Sequence, residues 1–154
     1  MKKTLRGKEL EHILNKTNTV YKKQKVAVIH NLKQPVKLTS RGIVPVSSPT
    51  DYMGFVKGGM GVTYDAKETI IKTRFPLDNI HDHQLNFLAL SEELGVKAGF
   101  IVWFKSLGED EVYFMPASFV RKFKEESSRS SIPYKSFKKS WKINLSDYLN
   151  LLHG

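Results

Sequence analysis

The sequence predicts one α/β domain over residues 1–154, a mixed central sheet flanked by helices, with a basic arm protruding at about residues 31–48. Three observations lead there. Its length fits one domain with a substantial buried core. Helical-period segments and short apolar runs alternate along it. Between the first strand and the next, Pro35, Gly42, Pro45 and Pro49 sit among polar and basic residues, a composition that argues for a loop or projecting arm.

Taken in order, Leu10, Ile13, Leu14, Thr17 and Tyr21 recur at helical spacing and predict an amphipathic helix over roughly residues 7–23. Val26-Ala27-Val28-Ile29 is a short apolar strand. A hairpin is expected over about residues 51–69, because Gly58, Gly59 and Gly61 between two β-prone runs have the composition of a tight turn. Residues 83–94 read as a helix through Leu85, Leu88 and Leu90, closed by Gly95. Ala98 to Phe104 is a buried strand, carrying Phe100, Trp103 and Phe104 into the core, and Val112 to Met115 is its shorter partner. Pro116 opens a helix to about Lys124. Ser127 to Tyr134 reads as a loop, and Ser146-Asp147 as the cap of a last short helix over Tyr148 to Leu152. Trp141, amid Lys138, Lys139 and Lys142, is read as a packing residue.

The chemistry concentrates in the hairpin. Side chains at i and i+2 share a strand face, so Asp65 and Lys67 point into the same space. There a carboxylate can hold a divalent cation and an ammonium can approach a phosphate. Asp51 stands at the start of the partner strand, and the turn decides whom it faces. Centring on Gly58 sets Asp51 opposite Asp65, and centring on Gly59 sets it opposite Lys67. A two-residue turn at Gly58-Gly59 turns Asp51 away from both, unless a glycine bulge restores the parity. Glu68 has the opposite parity and is expected to make a structural ion pair.

Composition narrows the partner. The chain has 25 Lys and Arg against 15 Asp and Glu, a formal charge of +10, which predicts a polyanion such as nucleic acid. No acidic residue occurs from His12 to Thr50, while Lys16, Lys22, Lys23, Lys25, Lys33, Lys37 and Arg41 do; a second basic tract runs from Arg121 to Lys142. Two such tracts flanking a carboxylate and lysine cluster favour a phosphate-backbone footprint. The absence of cysteine removes disulfides, thiolate zinc sites and cysteine nucleophiles together, and suits a reducing cytoplasm. Met1-Lys2-Lys3 is followed by no apolar run of signal-peptide type, and nothing reaches the length of a membrane span. No Walker loop, dinucleotide fingerprint or Ser-His-Asp arrangement is present.

Seven ordered blocks resemble the RecU family of Holliday junction resolvases: Arg6-Gly7 with Leu10-Glu11, Asn15 to Asn18, Ala27 to His30, Asp51 to Gly54, Asp65 to Thr69, Thr73 to Leu77, and His81 to Gln84. The resemblance implies a restriction-endonuclease-like fold and a homodimer with two active sites. It also implies magnesium-dependent paired nicking of four-way junction DNA, with Mn2+ as a substitute for Mg2+. By position, Asp51 and Asp65 look like the metal-binding carboxylates, Gln84 like a further metal-site residue, and Lys67 like the transition-state stabiliser. Lys33, Lys37, Arg41, Arg74 and His81 are the expected DNA contacts. A strand-exchange recombinase is a further candidate partner, and the expected location is cytoplasmic and nucleoid-associated. Pro49 stands where family members commonly have Thr, with Thr50 adjacent; the second carboxylate is often Glu; and Asn31 to Ser48 is shorter than the family's stalk.

Magnesium prefers hard oxygen ligands and keeps several waters, so one or two carboxylates suffice. Glu11 is either a distant carboxylate of the same site or an ordinary surface one. His81-Asp82-His83 lacks a nearby third ligand and suggests helix capping or DNA contact more than zinc. His30 is a strand-end histidine. A duplex nuclease of the same fold and a catalytically weak junction-binding protein are the competing readings.

Overall fold

The computed structural model describes residues 8–32, 36–45 and 48–152. Helix α1 (Lys8–Lys23) buries Leu10, Leu14, Thr17, Asn18 and Tyr21, the face set by its apolar spacing. It is followed by β1 (Ala27–Asn31), β2 (Val36–Thr39), β3 (Gly42–Pro45), β4 (Tyr52–Val56), β5 (Gly61–Thr69) and β6 (Arg74–Pro76). Then come α2 (Asp82–Glu93), β7 (Lys97–Phe104), β8 (Val112–Pro116), α3 (Ala117–Glu126) and β9 (Ser131–Pro133). Among the described residues no helix is long and apolar enough to cross a membrane.

A five-stranded sheet in the order β1-β4-β5-β7-β8 forms the centre. Only β5 and β7 run parallel, joined by the crossover through β6 and α2, so the sheet is mixed. Each residue of β7 after Lys97 is buried. Phe100, Val102 and Phe104 enter the core beneath α2 and α3, while Ile101 and Trp103 enter the core beneath α1. That continuous apolar run is what a strand covered on both faces requires.

Two expectations are corrected and a third gains detail. Within the stretch expected to be a loop or projecting arm, β2 and β3 pair as a two-stranded antiparallel ribbon, Val36 opposite Pro45 through Thr39 opposite Gly42. Gly42 takes φ +109°, and the Thr39 hydroxyl donates to the Gly42 carbonyl and accepts from the Arg41 N–H. Prolines outside the ladder's interior do not prevent it. The loop over residues 127–134 contains β9, which pairs with β6. Three rungs are too few to leave a periodic signal.

The last helix is absent as well. A 3-10 turn at Leu145–Asp147 takes its place, capped by Asn144 rather than Ser146. The buried Asp147 carboxylate accepts the Leu151 and Leu152 N–H groups and the Tyr21 hydroxyl, satisfying donors that a helix would have used otherwise.

Candidate active site

The hairpin adopts the register centred on Gly58. Tyr52 pairs with Tyr64, Met53 with Thr63, Gly54 with Val62 and Phe55 with Gly61. Gly58 and Gly59, at φ +98° and +97°, carry the turn, and the Val56 N–H closes it on the Met60 carbonyl. Continued by one rung, this register sets Asp51 opposite Asp65.

There the ladder gives way to side chains. The Asp51 N–H donates to Asp65 Oδ1 at 2.8 Å, and the Ala66 N–H donates to Asp51 Oδ2 at 3.2 Å. The Thr50 hydroxyl, buried, lies 3.0 Å from both Asp65 Oδ1 and the Tyr64 carbonyl. From the other side the Leu32 N–H holds the Asp51 carbonyl at 2.7 Å. Asp65 is thus fixed through one oxygen, and its second oxygen, Oδ2, is buried with no hydrogen-bond partner among the described residues.

Burial, first, and the Asp51 carboxylate, second, push the Asp65 carboxyl above the usual range. The Asp51 N–H, the Lys67 charge and the Thr50 hydroxyl only partly offset this. A fully buried carboxylate oxygen without a donor is costly unless a cation meets it. Gln84, in the first turn of α2, also has a buried Oε1 with no partner among the described residues, and α2 packs against β5 and β7. Oxygen donors of this kind, a carboxylate with a second carboxylate opposite it and an amide oxygen on the helix that packs on the same sheet, are the type a magnesium-like cation takes. Lys67, half-buried on the Asp65 face, makes no salt bridge among the described residues, which leaves its charge available for a phosphate.

The remaining candidates separate. Glu68 lies on the α1 face, where it accepts the Leu10 N–H at 3.1 Å and pairs with Lys105, itself bound to Glu9. It anchors the start of α1, where a carboxylate complements the unpaired amides. Glu11 belongs to α1, its carbonyl near the Tyr52 hydroxyl. His81 and His83 are exposed, with rings stacked at 5.8 Å, while Asp82 binds Lys124 of α3. Among the described residues no group of three or more His, Asp and Glu side chains is placed to hold a metal ion.

Of the expected DNA contacts, Arg41 is exposed in the ribbon turn and Arg74 on β6, and Lys37 lies in β2. Lys33 falls outside the described residues. Sequence reasoning missed the role of Thr50. Its signals were its position beside Asp51 and next to Pro49, where family members commonly have Thr.

The chain is thus an α/β protein whose central hairpin presents two opposed carboxylates and a lysine on one face. Residues 5–153 match the family described as Recombination protein U, and the chain belongs to that RecU family. It is 35% identical over 141 residues to a protein of Staphylococcus aureus (strain JH9) named Holliday junction resolvase RecU, covering 81% of this chain and 66% of that relative. A protein of the same name from Bacillus subtilis (strain 168) is 36% identical over 143 residues, covering 82% and 66%. The chain therefore spans 66% of the length of these relatives.

Proposed function

We propose that this protein is a Holliday junction resolvase, a magnesium-dependent endonuclease of the restriction-endonuclease-like class that nicks four-way DNA junctions in pairs as a homodimer. The observation that carries the reading is the buried Asp65 Oδ2 opposite Asp51, without a hydrogen-bond partner among the described residues, with the Lys67 charge on the same face. Family membership supports the substrate.

Asp51, Asp65 and the Gln84 amide oxygen would hold Mg2+, or Mn2+ in its place. When bound, the cation supplies Lewis acidity at the scissile phosphate. Thr50 and the Asp51 N–H hold Asp65 Oδ1, so that Oδ2 stays directed at the site. Lys67 either contacts the phosphate and offsets the charge that grows as water adds to phosphorus, or orients that water. The bond between phosphorus and one sugar oxygen then breaks, leaving a phosphate monoester and a sugar hydroxyl that takes up the proton given up by the attacking water. The exposed Arg74 and His81 supply phosphate contacts along the duplex arms, and Lys33, Lys37 and the exposed Arg41 supply those at the junction itself. The setting is cytoplasmic and nucleoid-associated, with a strand-exchange recombinase as partner.

Cleavage of a synthetic four-way junction beside a matched linear duplex, with and without Mg2+, tests this directly. Paired nicks confined to the junction support it. Equal cleavage of both substrates identifies a duplex nuclease instead, and binding without cleavage a junction-binding protein.

The ribbon leads to a further expectation. Neutralising Lys33, Lys37 and Arg41 together is expected to weaken four-way junction binding more than duplex binding, because the remaining basic surface still holds the arms. Titrations at one fixed salt concentration decide it, since affinity for DNA depends steeply on ionic strength. Equal losses would assign the ribbon to a diffuse basic surface.

A further inference from the structure

The rung that ends the β4–β5 ladder is a pair of tyrosines. Tyr52 and Tyr64 lie directly opposite each other, fully buried, with ring centroids 4.8 Å apart and planes 15° from parallel. Each is the chain neighbour of a site carboxylate, on the opposite face of the sheet: Tyr52 follows Asp51, and Tyr64 precedes Asp65.

Neither ring is free to shift. The Tyr52 hydroxyl donates to Asn15 Oδ1 of α1 at 3.1 Å. The Tyr64 hydroxyl donates to the Tyr148 hydroxyl at 2.8 Å and accepts from Asn18, while the Tyr148 hydroxyl donates to Asn18 Oδ1 at 2.5 Å. Phe114 and Tyr148 meet the Tyr64 ring edge-on. Burial pushes the Tyr52 and Tyr64 hydroxyls well above the usual tyrosine range, so both remain neutral donors in ordinary buffers.

The stack sits where the backbone ladder between β4 and β5 ends. Beyond this rung no paired residues join β4 to β5 within the ladder. The Asp51 N–H is bound by the Asp65 side chain, and the two carboxylates repel each other when both are charged. An aromatic pair of this kind contributes about 0.5–1.5 kcal/mol beyond its burial and has a fixed spacing. It resists the separation of strands that the opposed charges favour.

We propose that Tyr52 and Tyr64 are positioning residues for the metal-binding carboxylates, a clamp on the reverse face of the hairpin that sets how Asp51 and Asp65 face each other. The proposal rests on the reading of that pair as a cation site. The clamp acts through the backbone and touches neither cation nor DNA. Its ties to α1 and to Tyr148 make the site sensitive to how the first helix and the C-terminal segment dock.

The test uses the whole chain and Mn2+ as the probe, its binding followed by titration calorimetry, with amide hydrogen exchange measured on the metal-free protein. Tyr52→Leu removes the stack and is expected to weaken Mn2+ binding roughly 10-fold, as loss of outer supports of metal ligands does. In the same variant the Asp51 and Ala66 amides, which bond to the carboxylates, are expected to lose protection while amides of the β7–β8 ladder keep theirs. Tyr52→Phe keeps the ring and is expected to restore near wild-type behaviour in both measurements. Val120→Ala, in the core on the other side of the sheet, controls for plain destabilisation and is expected to change neither.

Wild-type Mn2+ affinity in Tyr52→Leu, or an equal loss in Val120→Ala, overturns the proposal. If the wild type itself binds no Mn2+, the metal reading fails and amide exchange alone supports or overturns the clamp. Should Tyr52→Leu not fold, Tyr52→Met, whose flexible side chain refills the space of the ring without its stack, is expected to give the same pattern, and an unchanged Tyr52→Met overturns the clamp.

Discussion

Asp65→Asn is expected to bind four-way junctions as the wild type does, to cleave them roughly 1000-fold more slowly or worse, and to melt at a higher temperature than the wild type in the absence of metal. On the function proposed above, a cation held by Asp65 would supply several kcal/mol of transition-state stabilisation, and each 1.36 kcal/mol is about tenfold in rate. Binding survives because the basic surface is untouched. The gain in stability follows from the same carboxylate. Asn retains an Oδ1 to accept the Asp51 N–H and the Thr50 hydroxyl, while the charge that burial and Asp51 oppose is gone. A gain of about 1 kcal/mol would raise Tm by roughly 2–4 °C in a chain of this size.

The pH dependence has a definite sign. Asp65 holds its proton more tightly in the folded than in the unfolded protein, so the folded state binds more protons between the ordinary carboxylate pKa and the raised one. Metal-free stability therefore falls as pH rises through that window, and the Asp65→Asn variant lacks this component. Added Mg2+ is expected to stabilise the wild type and to have little effect on the variant. Thermal melts with and without Mg2+, set beside a junction-cleavage time course, check every part. Full cleavage at ordinary Mg2+ would remove Asp65 from the site.

Gly54→Ala is expected to cost more stability than any single polar substitution in the site. Gly54 lies in the middle of β4, paired with Ile29 of β1 and Val62 of β5. A Cβ there would meet the Val28 carbonyl oxygen at 1.9 Å and the Ile29 Cα at 2.7 Å. Both neighbours are backbone, so no rotamer change relieves the overlap. Strand β1 must move away from β4, which breaks the ladder that also holds Asp51 through the Leu32 N–H. Overlap of this kind in a packed interior belongs to the rare class of substitutions costing more than about 4 kcal/mol. Urea denaturation is expected to show a large fall in midpoint, with cleavage falling as the folded fraction does. A variant with native stability would mean that β1 is held far more loosely than its five paired rungs indicate.

Much of this molecule was legible before its structure. Helix α1 follows from the spacing of Leu10, Leu14, Thr17 and Tyr21, and β7 from an apolar run too short for a helix of ordinary length. Asp65 and Lys67 share a face because strand parity permits nothing else. The opposite parity of Glu68 led correctly to a structural ion pair. What parity leaves open is the partner across the ladder, and three registers were compatible with the glycines at 58, 59 and 61. The choice fell to the left-handed backbone at Gly58 and Gly59 and to the packing of Tyr52 on Tyr64, neither of which leaves a mark on local pattern.

The short elements were hidden for a related reason. The β6–β9 pair and the β2–β3 ribbon are made of strands of three or four residues, stable only because a distant or folded-back partner supplies the hydrogen bonds. Asp147 reads as a helix cap from sequence. Its actual ligands include Tyr21, more than a hundred positions earlier in the chain. The sequence by itself determined which residues carry charge, which face of each long element is apolar, and which family the blocks resemble. Only the tertiary structure decided that Asp51 meets Asp65, that Thr50 and a backbone amide occupy one oxygen of Asp65 while the other is buried without a partner among the described residues, and that two tyrosines lie beneath them. Those facts depend on distances between segments remote in sequence, and such distances are set by the packing of the whole core.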